Sequence, residues 1–188
     1  NPVTIQHFFM PENSFLSLQM PVTIASTDDI PALVSLLNSA YRGDCSKKGW
    51  TTEADMIRGE IRTDEAQLKK LMEKPGAVFL KYAPDSGVIE GCVFLDKREG
   101  KLYLGMLSVA PALQTRGTGK QLMNTSEEYA KQECCTSIFM RVISIRLELI
   151  AWYERKGYYK TGEVQPFEDS IYGAATVPFE FWVMQKDF

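Results

Sequence analysis

The segment from Leu107 to Lys120 constrains the fold of this chain more than any other. It runs from an apolar strand pattern through a glycine-spaced turn, Gln114-Thr-Arg-Gly117-Thr-Gly119-Lys120, directly into an amphipathic helix pattern. The first amide groups of a helix have no acceptor within the helix, and the helix macrodipole places partial positive charge behind them. Because a turn around such a helix start directs several N–H groups at one point, the segment predicts a site for an anion such as a phosphate.

Two common phosphate-binding motifs do not fit this turn. A Walker-type loop needs a glycine separated by four residues from its Gly-Lys pair and a hydroxyl residue after it, but these places hold Gln114 and Gln121. A dinucleotide fingerprint needs a third small residue three places beyond Gly119, where this chain has Leu122. The remaining pattern, Gln-x-x-Gly-x-Gly, also fits an ordinary glycine-containing turn when it is taken by itself.

A second segment, from Arg146 to Tyr158, has the sequence Arg-Leu-Glu-Leu-Ile-Ala-Trp-Tyr-Glu-Arg-Lys-Gly-Tyr. It predicts a short helix that ends at Gly157, since glycine is favoured just after a helix and Arg155 and Lys156 complement the negative helix end. A strand is predicted to follow it. One further predicted strand separates this segment from the glycine turn.

Together the two segments resemble the acyl-CoA-dependent N-acetyltransferases of the GNAT superfamily. Gln114-x-x-Gly117-x-Gly119 resembles that family's loop for the pyrophosphate of acyl-CoA, and the helix with Tyr153-Glu-x-x-Gly157 resembles its second motif. The resemblance implies an α/β (α+β) fold, in which a central, mostly antiparallel mixed sheet of about seven strands is flanked by helices on both faces.

The same resemblance implies acetyl-CoA as co-substrate, and the lack of a Cys/His cluster with metal spacing in the sequence predicts no metal. The expected partner is a primary amine of a small molecule or a peptide, and a homodimer is compatible with the family. The strand before the turn is expected to hold the pantetheine arm, and the turn the pyrophosphate. The expected cofactor-binding residues are Leu107, Ser108, Val109, Gln114, Thr115, Arg116, Gly117, Thr118, Gly119 and Lys120.

Tyr153 occupies the place of the family's general acid. Acylation of an amine by a thioester needs a neutral amine and often a proton for the departing thiolate, and a phenol that is neutral at the working pH can donate that proton. A tyrosine that merely packs against the sheet is the alternative. Amines of the lysine type have a pKa of about 10.4, so a base or a water path must also exist, and Glu148, Glu90, Glu53 or an ordered water are the candidates.

The acceptor side is expected in the connection after the first helix, by resemblance to the family. Arg42 can hold a substrate carboxylate, Glu53 an ammonium group, and Trp50 can form an apolar floor. Each residue has an alternative: Arg42 as a cation at a helix end, Glu53 as a carboxylate in a first helical turn, and Trp50 as part of a small core. Arg146 stands where many relatives have Asn, and it either binds a carboxylate or phosphate or forms a surface ion pair.

Composition limits the function classes without choosing among them. The chain has 188 residues and a net charge of −3, which disfavours a nucleic-acid partner and an anionic membrane surface, since both need concentrated Lys and Arg. Four cysteines without paired spacing predict reduced thiols and a cytoplasmic location. Residues 1–20 are interpreted as an N-terminal extension and residues 21–188 as a single N-acetyltransferase domain. A catalytically silent CoA-binding or interaction domain is the alternative function.

Hydrophobic periodicity gives the remaining elements. A first helix is predicted from about Ile30 to Gly43, a second short helix from a capping box at Thr52, a third from Asp64, and a fourth over residues 116–132. The loop 166–178, with Phe167 and Tyr172, either covers the acceptor pocket or has no such role. Strands are predicted at residues 22–25, 77–82, 88–95, 101–109, 136–143, 158–164 and 177–185.

Overall fold

The computed structural model describes residues 22–84, 87–169 and 173–188, and within these ranges one mixed sheet of seven strands organises the chain. The proposed extension 1–20, the centre of the turn after Tyr82, and Tyr172 lie outside the described residues. The strands are β1 (Val22–Ile24), β2 (Ala77–Tyr82), β3 (Gly91–Arg98), β4 (Lys101–Val109), β5 (Ser137–Ile143), β6 (Tyr159–Pro166) and β7 (Glu180–Asp187).

The strand order is β1-β2-β3-β4-β5-β7-β6, and β4 with β5 is the parallel pair among antiparallel neighbours in this part of the chain. A right-handed crossover is the usual way to join two parallel strands, and here the connection contains a helix. The predicted fold class is therefore confirmed. The helices are α1 (Ile30–Tyr41), α2 (Gly43–Ser46), α3 (Glu65–Met72), α4 (Thr118–Gln132) and α5 (Leu147–Glu154).

Helices cover both faces of the sheet. On one face α1 and α3 pack against an apolar cluster that contains Leu33, Leu68 and Phe79, all of them almost fully buried. On the other face α4 and α5 pack through residues such as Leu122 and Ile150. The sequence predicts apolar faces of this kind because their residues repeat with the helical period. None of the helices in the described ranges is long and apolar enough to cross a lipid bilayer.

The predicted helix that begins at Thr52 is wrong. The Thr52 hydroxyl accepts a hydrogen bond from the N–H of Ala54 at 3.1 Å and lies 2.6 Å from the hydroxyl of Ser46, so it stabilises a turn instead of a helix start. Ser and Thr hydroxyls serve turns and helix caps through the same type of bond, which is why the sequence pattern misled. The short helix α2 lies earlier, in a segment that the sequence predicted as loop.

Strands β4 and β5 diverge, and this divergence positions the candidate site. They pair only from Lys101–Leu104 against Ser137–Met140. Beyond that point β4 has one residue more than β3 opposite it, since Phe94 pairs with Gly105 but Cys92 pairs with Ser108. Such a bulge bends a strand, and Met106 takes a positive φ of 51° there. The edge of β4 that faces β5 consequently opens within the described sheet.

Gly91 on β3 allows the start of α4 to lie close to the sheet. A Cβ built at this glycine would stand 3.0 Å from the side chains of Thr118 and Leu122 and 3.1 Å from the carbonyl oxygen of Ser108. These contacts are tighter than those of ordinary side chains. The lack of a side chain at one position of β3 therefore sets how near the first turn of α4 comes to the end of β4.

We expect Gly91→Ala to lower the free energy of unfolding by about 1 to 3 kcal/mol, because overpacking a close-packed contact forces neighbouring atoms apart. Urea denaturation measures this change. The same variant should weaken the binding of CoA, since Thr118 begins the helix at the proposed pyrophosphate turn. A variant with unchanged stability and CoA affinity would show that α4 can shift without consequence.

Candidate active site

One cavity of about 450 Å³ lies where β4 and β5 diverge, and it brings together segments that are far apart in the sequence. It reaches from the start of α4 past Tyr153 to the end of α1. Ser108, Arg116 and Arg42 do not line it, whereas the other residues predicted for the site do. These lining residues are Leu107, Val109, Gln114, Thr115, Gly117, Thr118, Gly119, Lys120, Trp50, Glu53 and Tyr153.

The glycine turn has the conformation that its sequence predicted. Thr115 and Gly117 have positive φ angles of 73° and 93°, and α4 begins at Thr118 without a side-chain cap and without an acidic residue in its first turn. The first amides of the helix, those of Thr118, Gly119 and Lys120, have no intrahelical acceptor. They form a positive helix end beside a lysine at one end of the cavity.

The open edge of β4 supplies backbone groups to the middle of the cavity. Past Leu104 this edge has no strand partner among the described residues, so its N–H and C=O groups can pair with a ligand that lies between the strands. The carbonyl oxygen of Leu107 accepts a hydrogen bond from the Tyr41 hydroxyl at 2.9 Å. Ser108 is buried, and its hydroxyl donates back to the carbonyl oxygen of Met106, so its side chain does not reach the cavity.

Tyr153 is a buried tyrosine on α5 that lines the cavity. Its ring packs against Trp152 and Tyr158, with centroid distances of 5.0 and 5.9 Å. Its hydroxyl has no hydrogen-bond partner among the described residues. Burial raises its pKa well above the usual value of a phenol, and the nearby Tyr41 adds to this effect. The group is therefore a neutral donor that is not already engaged by the surrounding described chain.

The two motifs thus meet in one cavity, and comparison with known proteins identifies the family of the chain. The family model for the acetyltransferase (GNAT) family matches residues 31–158. The chain belongs to the GNAT acetyltransferase family. The match begins in α1 and ends after α5, so it includes both the glycine turn and Tyr153.

Similar proteins place this GNAT chain among diverse relatives. It is 27% identical to human N-acetyltransferase 8B over 124 residues, which are 63% of this chain and 53% of that protein, so the match spans about half the length of the relative. Its fold is similar to a ribosomal-protein-alanine N-acetyltransferase from Brucella melitensis, with a TM-score of 0.66, 18% identity, and 89% and 99% of the two chains covered. It is also similar to the PaiA N-acetyltransferase from Thermoplasma acidophilum in complex with coenzyme A, with a TM-score of 0.61, 16% identity, and 89% and 99% covered.

Arg42 and Glu53 form a buried ion pair at the cavity wall near the end of α1. The Arg42 side chain is fully buried and lies 2.5 Å from Glu53 Oε2, while Glu53 lines the cavity and is 13% exposed. The backbone at Arg42 is extended where α1 ends, and this turns the side chain inward. Arg42 therefore holds Glu53 from behind the cavity wall, and its contact with a substrate carboxylate stays a prediction.

Gln114 joins the glycine turn to the loop that carries Trp50. Its amide accepts a hydrogen bond from the Trp50 N–H at 2.9 Å and donates to Thr51 Oγ1 at 2.9 Å and to the Val109 carbonyl oxygen at 3.1 Å. Gly49 leaves the space for this amide, because a Cβ there would stand 2.7 Å from Gln114 Nε2. The residue predicted as a cofactor ligand thus also links the glycine turn to the loop that carries Trp50 and Thr51.

Trp50 and Arg146 extend this link across the cavity. Arg146 donates to the Trp50 carbonyl oxygen at 3.2 Å, and both residues line the cavity. The Trp50 ring packs edge-on against Trp152 with a centroid distance of 6.2 Å. Arg146 therefore contacts a backbone carbonyl instead of forming the predicted surface ion pair with a glutamate.

The sequence did not point to Tyr103 and Phe181, two aromatic residues on strands that line the cavity. These residues come from separate elements, and a single tyrosine or phenylalanine on a strand carries no signal that it faces a cavity. Phe167 belongs to the loop that was expected to cover the pocket, and it does line the cavity. The additional lining residues are Tyr41, Ile57, Arg62, Tyr103, Arg141, Phe167 and Phe181.

Backbone hydrogen bonds join two loops beside the cavity, and one of these loops contributes Ile57 to its lining. Ile57 and Ala175 form an isolated antiparallel bridge, and the Arg58 N–H donates to the Ala174 carbonyl oxygen at 2.9 Å. The Thr176 N–H donates to the Met56 carbonyl oxygen at 2.9 Å.

The described residues contain no group of three or more His, Cys, Asp or Glu side chains arranged for a metal ion.

We expect Gln114→Ala to lower the free energy of unfolding by about 1 to 3 kcal/mol, because a partly buried amide with three hydrogen bonds is removed. It should also raise the KM for acetyl-CoA and for the amine together. Thermal denaturation and steady-state kinetics measure these effects. Gln121→Ala, at an exposed position of α4, is the matched control, and equal behaviour of the two variants would exclude the linking role.

Proposed function

We propose that this protein transfers an acetyl group from acetyl-CoA directly to a primary amine of a small molecule or a peptide. The observation that carries the proposal is that the glycine turn, the open edge of β4 and Tyr153 line a single cavity. A thioester donor needs a place for its phosphates, a slot for its arm and a proton for its sulfur. The three features meet these needs in that order along the cavity.

The donor is assigned to the half of the cavity at the start of α4. The amides of residues 115–120 bind the pyrophosphate, and Lys120 adds a positive charge to the helix end. Arg116 is exposed, so it contributes its backbone N–H and a charge at the rim. The pantetheine arm lies between β4 and β5 and pairs with the backbone of residues 107–109, as an added strand would.

The transfer step is a nucleophilic addition followed by elimination. The lone pair of the neutral amine forms the C–N bond at the thioester carbonyl carbon, and N–H groups of the β4 edge stabilise the oxyanion. The C–S bond then breaks, and the thiolate of CoA takes the hydroxyl proton of Tyr153. The amine loses its extra proton to Glu53, directly or through water, because Glu53 lines the cavity whereas Glu90 and Glu148 do not.

Replacing Tyr153 by Phe tests the general-acid role. We expect kcat to fall by about tenfold or more, since a positioned acid contributes at least that much, while acetyl-CoA binding is retained because the ring is kept. Release of free CoA thiol in the presence of an amine measures the rate. Tyr159→Phe, at an exposed tyrosine of β6, is the matched control. Unchanged turnover in Tyr153→Phe would make the assignment wrong.

The activity should rise with pH and then stay high. The amine must be neutral, so kcat/KM increases as the pH approaches the pKa of the amine, about 10.4 for a lysine-like group. Burial raises the pKa of Tyr153 above that of an ordinary phenol, so the acid remains protonated over the same range. A pH profile from about 7 to 10 with no descending limb is expected. A fall that begins below the pKa of a free phenol would contradict it.

Two other functions give different results in the same experiments. A silent CoA-binding domain would be stabilised against heat by acetyl-CoA but would release no thiol with any amine. A nucleotide-binding protein would be stabilised by ATP and not by CoA. We expect stabilisation by acetyl-CoA of RT ln(1 + [L]/Kd), about 2.7 kcal/mol at a hundredfold excess over Kd, together with amine-dependent thiol release.

A further inference from the structure

The acceptor half of the cavity carries more positive than negative side-chain charge. Among the described residues that line it, Arg62, Arg141 and Arg146 are cationic and Glu53 is the acid. The negative charge of Glu53 is already balanced by Arg42, which lies behind the wall and not on it. A substrate with only an ammonium group would gain little from this lining, whereas a substrate that also carries an anion would be attracted.

Among these cations, Arg141 is the best placed to bind an anion in the cavity. It is the first residue of β5 beyond Met140, the last residue of β5 that pairs with β4. Its guanidinium carbon lies 5.4 Å from the Tyr103 ring centroid and 5.7 Å from that of Phe181. A guanidinium between aromatic faces keeps its charge and loses little freedom when it binds a planar anion.

Neutral polar groups also orient the Arg141 side chain. Nη1 donates to Gln165 Oε1 at 3.2 Å and Nη2 lies 3.4 Å from the Tyr103 hydroxyl. A guanidinium has five N–H donors in a rigid fork that matches the two oxygens of a carboxylate. These two described partners are neutral side chains, and they orient the guanidinium beside the cavity.

The position of Tyr103 connects this charge to the reacting end of the cavity. Tyr103 contacts Arg141 through its hydroxyl, and it lines the same cavity as Tyr153. Gly105 leaves room for the Tyr103 ring, since a Cβ there would stand 3.0 Å from the ring edge. Because Tyr153 and Arg141 line the same cavity, a small molecule can place its amine beside Tyr153 and a second group at Arg141.

We infer that the acceptor is an amino carboxylic acid with an apolar body, and that Arg141 binds its carboxylate. The rings of Phe167 and Phe181 line the same half of the cavity and suit the apolar body. This inference rests on the proposed acetyl transfer. It assigns Arg141 as the residue that distinguishes carboxylated amines from neutral ones.

Three related amines test the inference with the full chain and acetyl-CoA: phenylalanine, phenylalaninamide and phenethylamine. Release of CoA thiol is measured across pH, and kcat/KM is expressed per neutral amine. This corrects for the different fraction of each amine that is neutral at a given pH. We expect kcat/KM for phenylalanine to exceed that for the two analogues without a carboxylate by about tenfold or more. A site built to bind a polar group rejects analogues that lack it. Equal rates for the three amines would overturn the inference.

Two variants locate the preference. In Arg141→Gln the ratio of phenylalanine to phenethylamine should fall to about twofold or less, and Arg141→Lys should retain part of it, because the charge remains while the fork is lost. Arg58→Gln removes an exposed arginine that does not line the cavity and should keep the full ratio. An Arg141→Gln variant that keeps the preference would overturn the assignment to Arg141.

The result also separates this inference from the proposed function. If acetyl-CoA binds but none of a wide set of amines releases thiol, the proposed acetyl transfer fails. If neutral amines are turned over as well as carboxylated ones, acetyl transfer stands and the carboxylate inference fails. Stabilisation by acetyl-CoA reports whether each variant is folded, and the comparison of the three amines with the unmodified chain decides the preference even if a variant does not fold.

Discussion

The short parallel pairing of β4 and β5 is the constraint on which the rest of the molecule depends. Only four residues of β4 pair with β5 before the strands separate. Backbone groups are strong hydrogen-bonding groups, and leaving a row of them without a strand partner is costly unless water or a ligand meets them. The bulge at Met106 starts the separation of the two strands. The cavity lies there, and the glycine turn and the α5 residues Trp152 and Tyr153 line it.

Hydrogen bonds and an ion pair connect the glycine turn to the opposite wall of the cavity. Gln114 ties the glycine turn to the loop at Trp50, and Arg146 holds the same loop from the side of α5. The Arg42–Glu53 ion pair holds the part of that loop at Glu53 against the end of α1. A buried pair contributes little net stability, since desolvation opposes the attraction, but it specifies one position for the carboxylate. The geometry of the acceptor wall therefore depends on contacts with both the end of α1 and the donor turn.

Local sequence patterns predicted much of the fold. The apolar face of α1, the N-cap Asp64 of α3, and the exact bounds of β2 and β4 follow from residues within one element. The wrong helix at Thr52 has a local cause as well, because its hydroxyl can stabilise a turn or a helix start and the choice depends on Ser46. Patterns of this kind report the conformation of a segment. They do not report which residue from elsewhere completes a hydrogen bond.

The sequence by itself determined the family, the fold class and the glycine turn at the start of α4, because the turn and the segment around Tyr153 are each encoded within a few consecutive residues. The tertiary structure alone decided the opposite wall of the cavity. Arg42 turned inward to Glu53, whereas Tyr103, Arg141 and Phe181 met in the cavity from separate strands. The physical reason is that such a wall is formed by contacts between residues distant in the chain, and the divergence of two strands, which no single segment encodes, determines which side chains face it.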